Sequence, residues 1–350
     1  FPRVLLPVGI SFYTFHAISY TMDVYRKKVA AETAFFRIAL YISFFPQLIA
    51  GPIVRSSFFL PQLQEIRIRD PENISKGLQQ FFIGFLFKTV LADNFANLAE
   101  PVFNAPELYD TAGLWVGTLA YYAQIYFDFA GYSLMAIGSA LWFGYHLPVN
   151  FTWPYTATSV TEFWYRWHMS LSSWLRDYLY FSLGGNRKGT LFQYRNLMLT
   201  MIIGGLWHGA SWNFIIWGGL HGVALVLHKL WLLYRGNHEN HNYYTITLSW
   251  FITQCWVFVA WIFFRSSDFS VAIKILQGLF GFTKGNESLT LLFIPIIFLP
   301  LFIDAVLGRF KSNVTIKLRA EVYAFFVGIL LAIMLWLKPL SSAPFIYFQF

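Results

Sequence analysis

Apolar runs long enough to cross a bilayer alternate along this chain with short polar segments, and the breaks inside those runs are informative. Residues 4–25 form a first apolar span, interrupted by Pro7 and Gly9 and closed by Arg26, Lys27 and Lys28. Three cations at the end of a span mark a cytoplasmic end. Residues 35–50 are too few to cross comfortably and are broken at Pro46, Gly51 and Pro52. They predict a half-helix that dips in and returns, its irregular backbone buried in protein or lining a cavity. Residues 55–76 read as a polar cytoplasmic loop and 77–91 as an outward span. Residues 93–110, acidic and without Lys or Arg, read as an outer loop. Residues 114–145 exceed one span and are expected to tilt or to break near Gly131 or Gly138. Asp128 lies inside that span, where an ionisable group must pair or face a polar cavity.

From 158 to 185 the pattern changes. Ser159 and Glu162 have capping-box spacing, and Gly184 with Gly185 offers a glycine stop, so one long helix is predicted between them. Aromatic Phe163, Trp167, Trp174 and Tyr178 fall on one stripe and polar Glu162, Arg166, Ser170, Ser173 and Asp177 on another, as in a helix lying along the membrane surface. His168 falls between the stripes. Residues 197–208 and 212–231 read as two spans, or one span and a re-entrant piece, meeting near Gly209. Residues 246–264, 289–307 and 322–337 read as further spans, with a basic loop at 309–319. Residues 269–282 are short enough to be interfacial, and the aromatic tail 343–350 reads as an interface anchor. His238 and His241 are three apart in the polar run 237–242, with no third ligand nearby, and read as part of a solvated loop.

Composition confirms the class. Of 350 residues, 57% are hydrophobic and only 12% charged, against about 25% charged in an ordinary soluble domain. The pattern predicts one integral membrane domain over 1–350, all-α and polytopic, with roughly 9–11 transmembrane or re-entrant helices and an interfacial helix. The net charge of +8 sits in short loops beside apolar segments, a topology signal and not a nucleic-acid footprint. Cys255 stands alone, which leaves no disulfide within the chain. Because Phe1 already lies in an apolar segment, without an initiator Met or signal-peptide pattern, further N-terminal spans are expected to precede it.

The chemistry concentrates in IIGGLWHGASWNFIIWGGLH, residues 202–221. An imidazole at bilayer depth needs a partner or a wet cavity, so His208 is a functional-site candidate; the bland alternative is a satisfied histidine beside small residues that let helices approach. Gly204, Gly205 and Gly209 leave room for a ligand or another backbone, and Trp207 and Trp212 supply flat apolar walls. For His168 the bland alternative is a snorkelling interfacial residue.

Two blocks, TEFWYRWHMSLSSWLRDYLYFSLGGNRKG (161–189) and GGLWHGASWNFIIWGGLHG (204–222), together resemble the membrane-bound O-acyltransferase family, and within it the bacterial alginate O-acetyltransferase branch. The lead-in FDFAGYSLMAIGSALWFGYHLPVNFTWPY and the terminal PFIYFQF extend the resemblance over nearly the whole chain. It implies a many-helix enzyme with a central funnel or tunnel, in a bacterial inner membrane. Such an enzyme moves an acyl group from a cytoplasmic thioester, acetyl-CoA, to an acceptor outside. The family's near-universal histidine maps onto His208 and the second histidine of the branch onto His168. No permanently bound cofactor or metal is implied. Acyl transfer needs a base for the alcohol proton, which suits His208, and a donor for the carbonyl oxygen. His168, Asn213 or the Trp207 indole could orient the base or polarise the thioester, with His168 preferred by the family match. Ser211 adds a hydroxyl to the same substrate-binding set. Arg166, Arg176, Arg187 and Lys188 could attract coenzyme A phosphates, although ordinary positive-inside residues would look identical. The expected partners are membrane lipids and a periplasmic or membrane-anchored acetyltransferase of the serine-hydrolase-like (SGNH) kind. Two alternatives stay open: D-alanyl transfer from a carrier protein to teichoic acid, and a secondary transporter with broken helices.

Overall fold

The computed structural model describes residues 9–48, 51–65, 70–236, 242–281, 283–309 and 320–339. Among them the architecture is all-helical, as expected, with an isolated bridge between Tyr109 and Glu287 and no strand. Helix α1 (Ile10–Tyr25) starts from Gly9, whose φ of 80° favours a residue without Cβ. Pro7 lies outside the described residues. The expected half-helix is present as two pieces, α2 (Phe35–Ser43) and α3 (Phe45–Leu48), which turn at Phe44.

The polar loop expected at 55–76 is corrected. It holds α4 (Ser56–Phe59) and a 3-10 turn, Leu60–Leu63. Phe59 is fully buried against Tyr41, Phe44 and Tyr145, and Leu60 joins the same core cluster. Averaging over a polar stretch hides such a short apolar run, yet it carries enough area to be drawn inward.

Helix α5 (Pro71–Leu86) also begins earlier than expected, with Pro71 at its first turn and the Asp70 carboxylate accepting from the Glu72 N–H at 3.0 Å. It runs through a π-helical turn, Phe87–Ala92, directly into α6 (Asp93–Asn104). The acidic outer loop expected at 93–110 is therefore largely helix. Its first acid points inward: Lys88 Nζ lies 2.7 Å from Asp93 Oδ1 and 2.8 Å from Asp128 Oδ1. Asp128 is thus paired with a cation, as expected. Asp93 was misassigned because a buried, neutralised acid says nothing about which side a loop faces.

Helix α7 (Thr111–Trp142) is the axis of the bundle. Asp110 caps it by accepting from the Gly113 N–H at 2.8 Å. The break expected near Gly131 or Gly138 is absent, and both glycines serve packing instead. A Cβ on Gly131 would collide with the carbonyl of Gly84, and one on Gly138 with that of Gly77, so α5 and α7 cross antiparallel with their backbones in contact.

The single helix expected over 158–185 is two helices, α8 (Val160–Arg166) and α9 (Met169–Trp174), followed by a π-helical turn, Leu175–Tyr180. Both predicted ends hold. Ser159 Oγ accepts from the Glu162 N–H at 3.1 Å, Glu162 Oε2 accepts in return from the Thr158 N–H at 2.7 Å, and Gly184 and Gly185 have φ of 108° and 57°. Helices α10 (Thr190–His208) and α11 (Trp212–Arg235) form a hairpin that turns at Gly209, where the spans were expected to meet. Then follow α12 (Tyr243–Arg265), α13 (Phe269–Phe280), α14 (Phe293–Arg309) and α15 (Ala320–Leu337). Helix α13 is more than an interfacial strip, because Ala272, Ile275 and Leu279 are buried in the main core. His238, His241, most of the basic loop 309–319 and the tail 343–350 lie outside the described residues.

By length and composition the segments Pro71–Asn104, Trp212–Arg235 and Tyr243–Arg265 are each able to cross a membrane. On the last two, Leu230, Trp231, Leu248, Phe251 and Ile252 are exposed, and large apolar side chains on the outside of such helices belong against lipid.

Lys88 is the cation that neutralises two buried carboxylates, so Lys88→Met is expected to destabilise the protein by about 3–5 kcal/mol. Adding Asp93→Asn and Asp128→Asn should recover most of that loss. Denaturant unfolding of the purified variants measures both; a Lys88→Met protein as stable as its parent would contradict the pairing.

Candidate active site

Helix α8 stops because its chain is pulled out of register by a neighbouring segment. Trp167 is extended (φ −100°, ψ 129°) and His168 left-handed (φ 41°, ψ 54°). A non-glycine residue in that region carries strain of about 1–3 kcal/mol and persists only when its surroundings over-determine it. Residues 150–152 do so from both sides. The Thr152 N–H donates to the Arg166 carbonyl at 3.0 Å, and the Met169 N–H donates to the Asn150 carbonyl at 2.9 Å. The kink drives the His168 side chain into the core, where it is 1% exposed with its ring edge-on to Phe129 of α7, centroids 4.6 Å apart. Its Nδ1 lies 3.1 Å from Asn150 Oδ1, while Nε2 is buried with no hydrogen-bond partner.

His208 arrives from the other side, as the last residue of α10. It is half-buried among Trp207, Trp217 and Phe264, with centroids at 4.6, 5.1 and 4.9 Å. The two imidazoles lie within electrostatic range of each other. The hairpin that carries His208 is tight: a Cβ on Gly205 would strike the carbonyl of Phe214, and one on Gly218 the carbonyl of Met201. Past the turn, Ser211 Oγ accepts from the Asn213 N–H at 3.3 Å and starts α11. Asn213 is buried, its Nδ2 donating to the Ser266 carbonyl at 2.8 Å and its Oδ1 unpartnered.

The other expected site residues separate into groups. Trp207 packs edge-on against Phe15 of α1 at 4.9 Å and Phe12 at 6.4 Å, on the outer flank of His208. Arg166 is committed locally, to Glu162 Oε1 at 2.6 Å and Thr156 Oγ1 at 2.9 Å. Arg176 pairs with Asp177 at 2.7 Å and borders a cavity of about 370 Å³ between the α8–α9 segment and the α10–α11 hairpin. Leu175, Leu197, Met201, Leu225 and Lys229 also line that cavity, and neither His168 nor His208 does. Arg187 and Lys188 are exposed in the turn after Gly185.

Sequence reasoning missed the roles of Asn150 and Ser170, which meet the His168 ring, and of Ser133, which accepts from Asn150. It also missed His221, fully buried, whose Nδ1 accepts from the Trp164 indole N–H at 3.3 Å. The available signal for Asn150 was one carboxamide between Val149 and Phe151 in an otherwise apolar stretch.

An all-helical bundle with apolar helices able to cross a membrane and apolar outer faces defines a polytopic membrane protein, with His168 at a helix break and His208 at a helix end as its candidate site. The chain belongs to the membrane-bound O-acyltransferase family, whose model matches residues 10–267. It is 45% identical to a probable alginate O-acetylase AlgI of Pseudomonas putida, over 80% of this chain and 56% of that protein. It is 42% identical to a peptidoglycan O-acetyltransferase of Helicobacter pylori, over 80% of this chain and 58% of that protein. A teichoic acid D-alanyltransferase of Streptococcus thermophilus is 33% identical over 64% of this chain and 57% of its own length. The chain spans about half the length of the curated relatives it matches.

The seam that places His208 can be tested with two glycines of one hairpin. Gly205 meets the backbone of Phe214, whereas a Cβ on Gly219 meets nothing within 4 Å. Gly205→Val is expected to lower thermal stability and to cost at least 1–3 kcal/mol through overpacking, about the usual range, while Gly219→Val changes little. Melting curves of the purified variants check this; equal tolerance at both positions would remove the seam.

Proposed function

We propose that the protein catalyses O-acyl transfer, passing an acetyl group from cytoplasmic acetyl-CoA across a bacterial inner membrane for O-acetylation of an extracytoplasmic polysaccharide such as alginate. The observation that carries this reading is that His168, at the break between α8 and α9, and His208, at the end of α10, come from two different elements and lie within electrostatic range of each other. In the proposed step an acceptor hydroxyl oxygen attacks the thioester carbonyl carbon as His208 takes its proton. The C–S bond then breaks, and the thiolate leaves with a proton returned from the imidazolium. Trp207, Trp217 and Phe264 wall the His208 ring on this reading. The cavity beside Arg176 and Lys229 is proposed to admit the donor, its apolar walls suiting the acyl-bearing arm and its cations the phosphates. Its place on the cytoplasmic side and its link to the histidines belong to the same proposal.

The likeness to a teichoic acid D-alanyltransferase supports a second donor, a carrier-bound D-alanyl thioester. Labelled acetyl-CoA and a D-alanyl carrier, supplied separately, distinguish the two. With the productive donor, His208→Ala is expected to lower transfer by about two to four orders of magnitude, the range for loss of a general base. His168→Ala should be severely impaired as well, with both proteins inserted and monodisperse. Near-normal transfer by a well-folded His208→Ala protein would remove that residue from the mechanism.

Polymer acetylation is proposed to need a partner, a periplasmic or membrane-anchored acetyltransferase of the SGNH type that receives the acetyl group at the outer mouth. The connections α6–α7 and α12–α13, proposed to face outward, are short turns that offer little to grip a polysaccharide. Purified protein with acetyl-CoA and polymer should therefore give little product until the partner is added. Efficient polymer acetylation by this chain alone would refute the division of labour.

A further inference from the structure

We propose that Asn150 is the positioning residue that holds His168 in its Nδ1–H tautomer, so that His168 offers an unprotonated Nε2, a proton acceptor, to the reaction site. The inference rests on the acyl-transfer reading above and assigns His168 its chemical role within it.

The carboxamide of Asn150 is 1% exposed and hydrogen-bonded at both its oxygen and its nitrogen. Its Oδ1 lies 3.3 Å from the Ser170 backbone nitrogen, 2.9 Å from Ser170 Oγ and 3.1 Å from His168 Nδ1; its Nδ2 lies 3.1 Å from Ser133 Oγ. Which end of a carboxamide is oxygen is ordinarily a matter of assignment. Here a backbone group decides it. The Ser170 N–H can only donate, so the atom facing it must accept, and that atom is Oδ1. Turning the amide over would set the NH₂ group against the Ser170 N–H. With Oδ1 fixed, the imidazole nitrogen that meets it must carry hydrogen. Neutral imidazole has one N–H, so Nε2 carries the lone pair.

Ser170 does not compete for the ring. Its Oγ accepts from the Ile53 N–H at 2.9 Å and gives its own hydrogen to Asn150 Oδ1, leaving a contact of 3.5 Å to His168 Nδ1. Nε2 is the buried ring atom without a partner. Neutral His168 therefore has no Nε2–H to donate to a thioester carbonyl and acts as an acceptor, which excludes the polarising role open to it from sequence. The arrangement matches the general rule that the hydrogen bond on one ring nitrogen sets what the other can do.

Asn150 also holds the His168 backbone, but through its main-chain carbonyl. Side-chain substitution leaves that bond in place and separates the two roles. The test uses the full chain, labelled with ¹⁵N-histidine in lipid nanodiscs, with the His168 signals identified by their loss in His168→Gln. The expected spectrum shows protonated Nδ1 and unprotonated Nε2 at His168. Asn150→Leu should abolish that preference and lower kcat for acyl transfer about ten- to a hundredfold, the range seen when a histidine loses its orienting partner, with KM within about twofold. Asn150→Asp keeps an acceptor at the same place and should restore both the tautomer and most of the rate. An Nε2–H tautomer in the parent would overturn the proposal, as would a folded Asn150→Leu protein with parental kcat. The spectrum requires no acyl transfer, so an inactive parent with the expected tautomer would refute the activity and leave the hydrogen-bond assignment standing.

Discussion

Backbone groups freed by a helix break inside an apolar bundle have no water to turn to, and the break after Arg166 depends on the partners supplied by residues 150–152. The Arg166 carbonyl and the Met169 N–H each find one there. Those two bonds, with the Ser170 N–H donating to Asn150 Oδ1, offset the strain of a left-handed His168. A continuous helix would leave His168 near its boundary, where the sequence pattern places it. The kink turns it inward, to Phe129 and Asn150. The interior imidazole thus follows from a backbone pairing between segments well apart in the chain.

The rest of the bundle makes that pairing possible. Helix α7 carries Ser133 and Phe129 to the base of the site, and it can lie close to α5 because glycine faces glycine at two levels of the crossing. In the π-helical turn that joins α5 to α6, Lys88 sits between Asp93 of α6 and Asp128 of α7. Desolvating those charges is costly, so once buried each depends on the others. On the opposite wall, the α10–α11 hairpin uses Gly205 and Gly218 in the same way, which sets where α10 ends and hence where His208 stands.

Helix identity was largely legible, because long apolar runs, caps and glycine stops are local signals. The Ser159 cap and the Gly209 turn could both be read from the residues around them. What could not be read was non-local. Gly131 and Gly138 look like weak points until Gly84 and Gly77 are seen against them, and Asp93 looks like a loop acid until Lys88 reaches it. His208 stood out because an ionisable group among tryptophans is conspicuous in any apolar run. His168 came from family resemblance, since its own helix pattern left it ambiguous. Asn150 escaped notice because its value lies in side-chain contacts with three residues, Ser133, His168 and Ser170, and none of them leaves a trace in spacing.

The proposed transfer requires that His168 and His208 act as one unit at one site. A double-mutant cycle on acyl transfer tests it directly: His168→Ala, His208→Ala and the double variant, each compared with the parent under saturating donor. If the two serve a single step, the double variant should lose about as much as the worse single variant, far less than the product of the two losses, as groups acting together do. Losses that multiply would mean that the two imidazoles contribute independently, and would contradict the account.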